Sequence, residues 1–182
     1  YTKYRVNGDS VWSVVPPPTS EGKKIEAIEK ISGKKLVGLQ YEPLYPIPHT
    51  QNPSYFRVYA ADFVSTEEGT GLVHIAPAFG EDDFNLIKSE VKNFSYKDVP
   101  VTVGDDGKVL VGVPGAGKFI KDADKDIMAD LERRGLMYKA GEAEHDYPFC
   151  WRCSAALLYF ARTSWFIEMS KLRKQLAAAN KK

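Results

Sequence analysis

Cysteine is nearly absent from this chain: Cys150 and Cys153 are the two thiols in 182 residues. Two thiols so close together are not a disulfide framework, which excludes the small stapled scaffolds of secreted proteins. No run approaches the roughly 20 apolar residues needed to span a bilayer, so no membrane-spanning helix is expected. The opening residues lack the basic, apolar and small-residue sections of a signal peptide, and a cytoplasmic, reducing location without a membrane partner is the expectation. An excess of one charge is lacking too. Twenty-five basic residues stand against 24 acidic ones, for a formal net charge of +1. There is therefore no broad polyanion-binding field, and any contact with a polyanion must be local. An initiator methionine is also missing, and Tyr1-Thr2-Lys3-Tyr4-Arg5-Val6 already alternates like a strand. That is expected of a piece cut from something larger.

What is present suffices for a packed core. Hydrophobic residues make up 43% and aromatics 12%, enough for one ordinary domain, or one plus a small appendage. Residues 1–15 read as a hairpin, with Tyr4 and Val6, the turn Asn7-Gly8-Asp9, and Val11 to Val15. Pro16-Pro17-Pro18 follows as a stiff extended connector. The spacing of Ile25, Ile28 and Ile31 predicts an amphipathic helix over 22–32, stopped by Gly33 and flanked by lysines on a solvated face. Strands are predicted over 36–41 and 55–64. Between them, Pro43, Pro46, Pro48 and Pro53 make a rigid loop that carries His49 on the surface. A further hairpin is expected from Val99–Val103 and Val109–Val111 around Gly104-Asp105-Asp106-Gly107. A helix should run from Asp122 or Asp124, as N-cap, to Arg134, closed by Gly135. A last helix, from about Trp165 to Ala179, places Phe166, Met169, Leu172 and Leu176 on one side.

The most informative stretch is Gly69-Thr70-Gly71-Leu72-Val73-His74-Ile75-Ala76-Pro77-Ala78-Phe79-Gly80-Glu81-Asp82-Asp83-Phe84. It reads as a glycine-bracketed turn, a short strand at Leu72-Val73 ended by Pro77, and a helix opening on acids that suit the positive end of its dipole. Phe84, Ile87 and Val91 continue as one apolar stripe. His74 leaves a strand and Asp83 enters a helix, a geometry that forms the lip of a pocket. Spacing alone is equally served by plainer roles: Asp82 or Asp83 as a helix cap, and His74 as a half-buried strand residue.

This run resembles the signature of the editing domain of isoleucyl-tRNA synthetases, the insertion that hydrolyses wrongly charged tRNA. Related valyl and leucyl enzymes have a similar Gly-Thr-Gly loop and distal aspartate, whereas His74 followed by Ala-Pro-Ala-Phe-Gly looks isoleucyl in type. Leu36–Pro46, Asp122-Ala123-Asp124 with its helix, and Arg162–Ile167 also resemble that family. The resemblance implies a mainly β fold with peripheral helices, a small β-barrel editing domain over 1–165, and a junction back to the synthetase body over 145–182.

It also implies roles. Asp83 would bind the α-amino group of a misattached valine. His74 would line the side-chain pocket and reject isoleucine by its bulk. Phe79 would form part of the wall, and Gly69, Thr70 and Gly71 the loop beside the terminal adenosine. Asp83 and His74 are thus the residues expected to carry the editing chemistry. No nucleophile is evident, so hydrolysis led by bound water is expected over covalent catalysis. The partners implied are the 3′ end of tRNA(Ile) mischarged with valine and the rest of the synthetase. A valyl-type domain clearing threonine, and a non-catalytic RNA-binding barrel, are the rival readings. No cofactor is expected in these residues, whereas the parent enzyme would use ATP and magnesium.

Cys150-Trp151-Arg152-Cys153 is half of a structural zinc site, which needs four Cys or His ligands. His145 is the one further ligand near in sequence. In some members of the family a cysteine pair here shares zinc with a second pair upstream of the insertion. That second pair, and the threonine-rich segment forming the opposite wall of the family's pocket, are not in this sequence. The resemblance therefore implies an isolated chain that binds weakly and hydrolyses poorly.

Overall fold

The computed structural model describes residues 1–182 except 7, 19–23, 48, 49, 51, 68, 143–145 and 182. His49, His145 and the first residue of the predicted turn at 7–9 lie outside the described residues. The expected first hairpin is formed by β1 (Thr2–Val6) and β2 (Asp9–Ser13), antiparallel, with Tyr4 opposite Val11. Its tight connection uses Gly8 at φ 95°, a conformation glycine adopts without steric penalty.

The predicted helix over 22–32 is instead a strand, β3 (Ile25–Lys30), paired antiparallel with β1 on the side away from β2. Its isoleucine periodicity corresponds to no buried face, since every residue of β3 is exposed. A helix of that length is marginal in water unless an apolar stripe is covered. The free edge of β1 offers backbone partners at once, and the β-branched isoleucines suit a pleat. Arg5 and Glu26 form a cross-strand ion pair at 3.0 Å.

This three-stranded sheet, in the order β2-β1-β3, is the β component of the fold; it is open, with β2 and β3 as its edges. A closed barrel is not formed among the described residues. The segments expected as strands over 36–41 and 55–64 meet through one bridge, Gln40 with Arg57, plus neighbouring bonds such as Val58 N–H to Leu39 O at 2.9 Å. A short 3-10 turn at Gly33–Lys35 precedes the first segment, and another at Pro53–Phe56 takes the start of the second. Asn52 sets the second turn by accepting from Ser54 N–H at 3.0 Å, with Pro53 at its first position. Leu72-Val73 is likewise irregular rather than a strand.

Helix α1 (Glu81–Glu90) begins on the three acids as expected, and its N-cap is Gly80 rather than Asp82 or Asp83. Ile87 and Val91 pack with Tyr55, Ala78 and Val99 into the main buried cluster. The hairpin around Gly104–Gly107 is reduced to a bridge between Val103 and Val109, both buried. Helix α2 (Ile120–Arg133) starts after Phe119, with no side-chain cap, so the aspartate N-cap is not used. Its end is as expected. Gly135 takes φ 70° and Leu136 N–H reaches Leu131 O at 2.8 Å, the bond of a glycine-terminated helix. Helix α3 (Met169–Ala179) is shorter than predicted, has no buried residue, and follows a segment in which Trp165 and Phe166 are fully or nearly fully exposed.

Asp130 ties α2 to the proline loop. Its carboxylate accepts from Arg133, from Arg134 at 3.2 Å and from Tyr45 Oη at 3.1 Å, while Arg134 also donates to Leu44 O at 3.0 Å. The bond from Arg133, helped by Arg134 and Tyr45 and opposed by burial, holds the Asp130 carboxyl below the usual carboxylate range. A depressed pKa contributes stability above the unfolded value of about 3.9 and loses it as pH falls through the folded one. Asp130→Asn should therefore unfold a few degrees below wild type at pH 7, with the gap closing below about pH 4, as thermal denaturation across a pH series will read.

Candidate functional site

The Gly-Thr-Gly loop is mounted on the first hairpin. Three successive carbonyls accept from it: Gly69 O from Ser13 Oγ at 3.4 Å, Thr70 O from Val14 N–H at 3.0 Å, and Gly71 O from Tyr1 Oη at 2.7 Å. Ser13 is the buried polar side chain of the hairpin, at 1% exposure. Within the loop, Thr70 Oγ1 donates to Leu72 O at 2.8 Å and accepts from Leu72 N–H at 3.1 Å, closing a local turn. Gly69 and Gly71 both lie at positive φ, 63° and 69°.

Sequence reasoning misses these supporting residues. One signal points to Ser13 alone, because it shares the phase of Val11 and Val15, the face that alternation turns inward.

The two glycines differ in their surroundings. A β-carbon on Gly71 would lie 2.6 Å from Val14 Cγ1 and 3.1 Å from the Tyr1 ring, whereas one on Gly69 meets nothing within 4 Å. Gly69→Ala should lose about 1–2 kcal/mol of stability through backbone strain alone. Gly71→Ala should lose about 1–3 kcal/mol more through overpacking, in parallel urea titrations.

Beyond the loop, the chain runs irregularly through Val73-His74-Ile75 to a turn at Pro77–Phe79, where Phe79 N–H bonds Ala76 O at 2.8 Å. A cleft of about 840 Å³ opens on this wall, and Gly71, His74 and Phe79 line it with Ala76 and Leu86. Gly69, Thr70 and Asp83 are not among its lining residues. His74 is exposed and outside any strand, so the half-buried strand role does not hold.

Asp83 stands at the third position of α1 and is half-buried. Its Oδ2 accepts from Ala76 N–H at 2.9 Å, pinning the cleft wall to the helix. Gly80 makes room for this. Its φ of −142° is open to any residue, but a β-carbon there would sit 2.8 Å from Asp83 Oδ2. The other carboxylate oxygen takes no donor among the described residues. Phe79 is braced from outside by Phe160, ring edge to face at 5.5 Å, while Ala161 N–H bonds Ala78 O at 2.8 Å. The C-terminal segment thus supports the pocket turn from behind.

Cys150 and Cys153 are brought together in a tight turn, with Ser154 N–H on Cys150 O and Cys150 N–H on Ala155 O, both at 2.8 Å. Backbone N–H groups of Cys153, then Arg152, and the Cys153 thiol hold the Cys150 thiol below the usual thiol range against partial burial. Such a turn presents two thiol groups side by side, as a metal site requires. It is two ligands short: no cluster of three or more His, Cys, Asp or Glu able to hold a metal occurs among the described residues. These residues alone do not make a zinc site. The depressed thiol has a direct consequence, since the thiolate is the nucleophile. Iodoacetamide should modify Cys150 before Cys153 between pH 6.5 and 7.5, and the preference should shrink above about pH 9, as peptide mass mapping will show.

No helix among the described residues is long and apolar enough to cross a membrane. No protein-family model matches the chain. It is 42% identical over 163 residues to an isoleucine–tRNA ligase of Bdellovibrio bacteriovorus, covering 87% of this chain and 15% of that protein. It is 40% identical over 166 residues to a cytoplasmic isoleucine–tRNA ligase of Arabidopsis thaliana, covering 90% of this chain and 14% of that one. With an isoleucine–tRNA ligase of Picrophilus torridus the identity is 43% over 156 residues, 85% of this chain and 15% of the relative. The chain thus spans 14–15% of the length of these curated relatives. Over the residues that match, it belongs to the isoleucine–tRNA ligase family.

Proposed function

We propose that these residues act as the editing domain of an isoleucyl-tRNA synthetase, hydrolysing the ester of valine wrongly attached to tRNA(Ile). The observation that carries this reading is one wall: Gly71, His74 and Phe79 line a single cleft, within a chain about 40% identical to isoleucine–tRNA ligases. The domain extends over 1–165, and 145–182 forms the junction to the synthetase body. The body uses ATP and magnesium to join isoleucine to tRNA. Cys150 and Cys153 supply two of four zinc ligands there, the others coming from outside these residues.

The chemical problem explains why such a domain exists. One methylene changes binding in an apolar pocket by only about 1–3 kcal/mol, an established limit for which isoleucine against valine is the standing case. A second site that admits valine and rejects isoleucine removes the errors by hydrolysis. His74, exposed on the cleft wall, is the size gate. Asp83 holds Ala76 through Oδ2 and does not itself line the cleft, so in this reading the substrate's α-ammonium group reaches past the cleft wall to its carboxylate, a charge-assisted contact. Water adds to the ester carbonyl, the bond to the ribose oxygen breaks, and that oxygen takes a proton as valine leaves.

A second reading has one observation in its favour. The engagement of Asp83 with Ala76 is also what a purely structural brace would make, and the chain would then be a non-catalytic module beside RNA.

Titration with non-hydrolysable valyl- and isoleucyl-adenosine analogues, followed by amide NMR, separates the two. The editing reading expects selective valyl binding with shifts at Gly71, His74 and Asp83. It also expects deacylation of valyl-tRNA to fall about tenfold or more in Asp83→Ala, the scale of one charged hydrogen bond. Equal binding of both analogues would remove His74 as the gate, and binding of neither analogue would leave the structural reading.

A further inference from the structure

The turn that carries Cys150 and Cys153 is the tip of a looped hairpin away from the cleft. Phe149 bridges Ala156, and Leu157 N–H bonds Pro148 O at 3.0 Å. Tyr147 ties the two arms again, its Oη donating to Leu157 O at 2.7 Å. The same ring meets Phe149 at 5.6 Å and takes the ammonium group of Lys121, on α2, over its face at 3.7 Å. Beyond Leu157 the second arm continues to Phe160 and Ala161, which brace the pocket turn. The tip is thus held by contacts that do not involve the thiols themselves.

Within the tip the backbone is closed tightly. Cys150 N–H bonds Ala155 O and Ser154 N–H bonds Cys150 O, both at 2.8 Å. Ser154 takes φ 55°, a left-handed conformation uncommon outside glycine, so the chain leaves the turn under constraint. A four-residue turn keeps its first and last Cα atoms within about 7 Å, and a disulfide spans about 4.4–6.8 Å between Cα atoms. Cys150 and Cys153 occupy those two places, and both are free thiols. Cys153 is exposed and Cys150 half-buried, so a small reagent reaches the pair from solvent. The intervening side chains engage each other, with Arg152 at 4.7 Å over the ring of the exposed Trp151. No third Cys, His, Asp or Glu joins the pair among the described residues.

We propose that this hairpin tip is a thiol–disulfide site, where Cys150 and Cys153 close reversibly into an intrachain disulfide by exchange with a small disulfide of the glutathione type. One cysteine sulfur attacks the oxidised glutathione, whose S–S bond breaks as a protein–glutathione disulfide forms and one glutathione leaves. The other cysteine sulfur then attacks the protein sulfur of that mixed disulfide and expels the second glutathione. Two thiol protons end on the two glutathiones, and two electrons pass from the cysteines to the oxidant. The inference does not rest on the editing reading. It concerns the pair in a chain without zinc ligands from outside.

The intact chain is equilibrated with graded ratios of reduced and oxidised glutathione, in buffer and in unfolding urea, then quenched, alkylated and mapped by mass. The folded chain should form the Cys150–Cys153 disulfide, as a monomer, with an equilibrium constant at least about tenfold above that in urea. The reason is that the folded turn has already closed the loop that the unfolded chain must close. Ser154→Pro removes the N–H that closes the turn and cannot adopt the left-handed conformation, so most of that advantage should be lost. Cys153→Ser should stop at a persistent glutathione adduct on Cys150, whereas the wild type resolves it. Equal constants in buffer and urea, or oxidation that yields disulfide-linked dimers, overturn the proposal. So does an advantage that survives Ser154→Pro intact. Protection of both thiols by one equivalent of zinc assigns the pair to the metal in this chain and equally overturns it.

Discussion

Three carbonyls in a row, those of Gly69, Thr70 and Gly71, accept hydrogen bonds from the N-terminal hairpin, and the candidate site depends on that arrangement. A glycine-rich turn has no fixed shape of its own, because its conformational freedom is the property that makes glycine useful there. Here the shape is imposed from outside. Tyr1 reaches across seventy positions of sequence to Gly71, and Val14 leaves no room for a side chain on it. The opposite end of the wall is held by Asp83 on Ala76. His74 lies between these two clamps, exposed on a segment that has no regular structure.

That division of labour matches the general pattern in which a site sits on irregular chain positioned by firmer elements. Helix α1 supplies Asp83 and buries Ile87 in the main cluster, so one element is both core and clamp. The C-terminal segment contributes from behind, with Phe160 against Phe79 and Ala161 on Ala78. Beyond it the chain is apolar and uncovered: Trp165 is fully exposed, and α3 has no buried residue. Apolar surface of that kind is ordinarily found against another protein surface.

Much of the site is legible in the order of residues, for identifiable reasons. Acids after Gly80 mark a helix start through the dipole, and Gly135 marks a stop through its left-handed backbone; both act over a few residues. The cleft wall carries three of the six residues that the motif singles out, Gly71, His74 and Phe79, while Gly69, Thr70 and Asp83 lie off it. The partner of Asp83 is not legible. A third-position acid usually reaches its own helix cap, and the absence of a β-carbon on Gly80 redirects it to Ala76. Alternation over 55–60 does not foretell the cleft, because the segment is no regular strand and residues of both phases, Tyr55, Arg57 and Tyr59 with Phe56 and Val58, line it.

By itself the sequence determined the first hairpin, the start of α1, the end of α2 and the family to which the residues belong. Each rests on backbone preferences or side-chain identities that need no distant partner. Tertiary structure alone decided that Ile25–Lys30 is a strand and not a helix, since only the open edge of β1 could make that choice. It also decided that the segments around Gln40 and Arg57 pair at a single bridge. The same holds for the cleft, whose walls come from residues far apart in the chain and exist only once they meet.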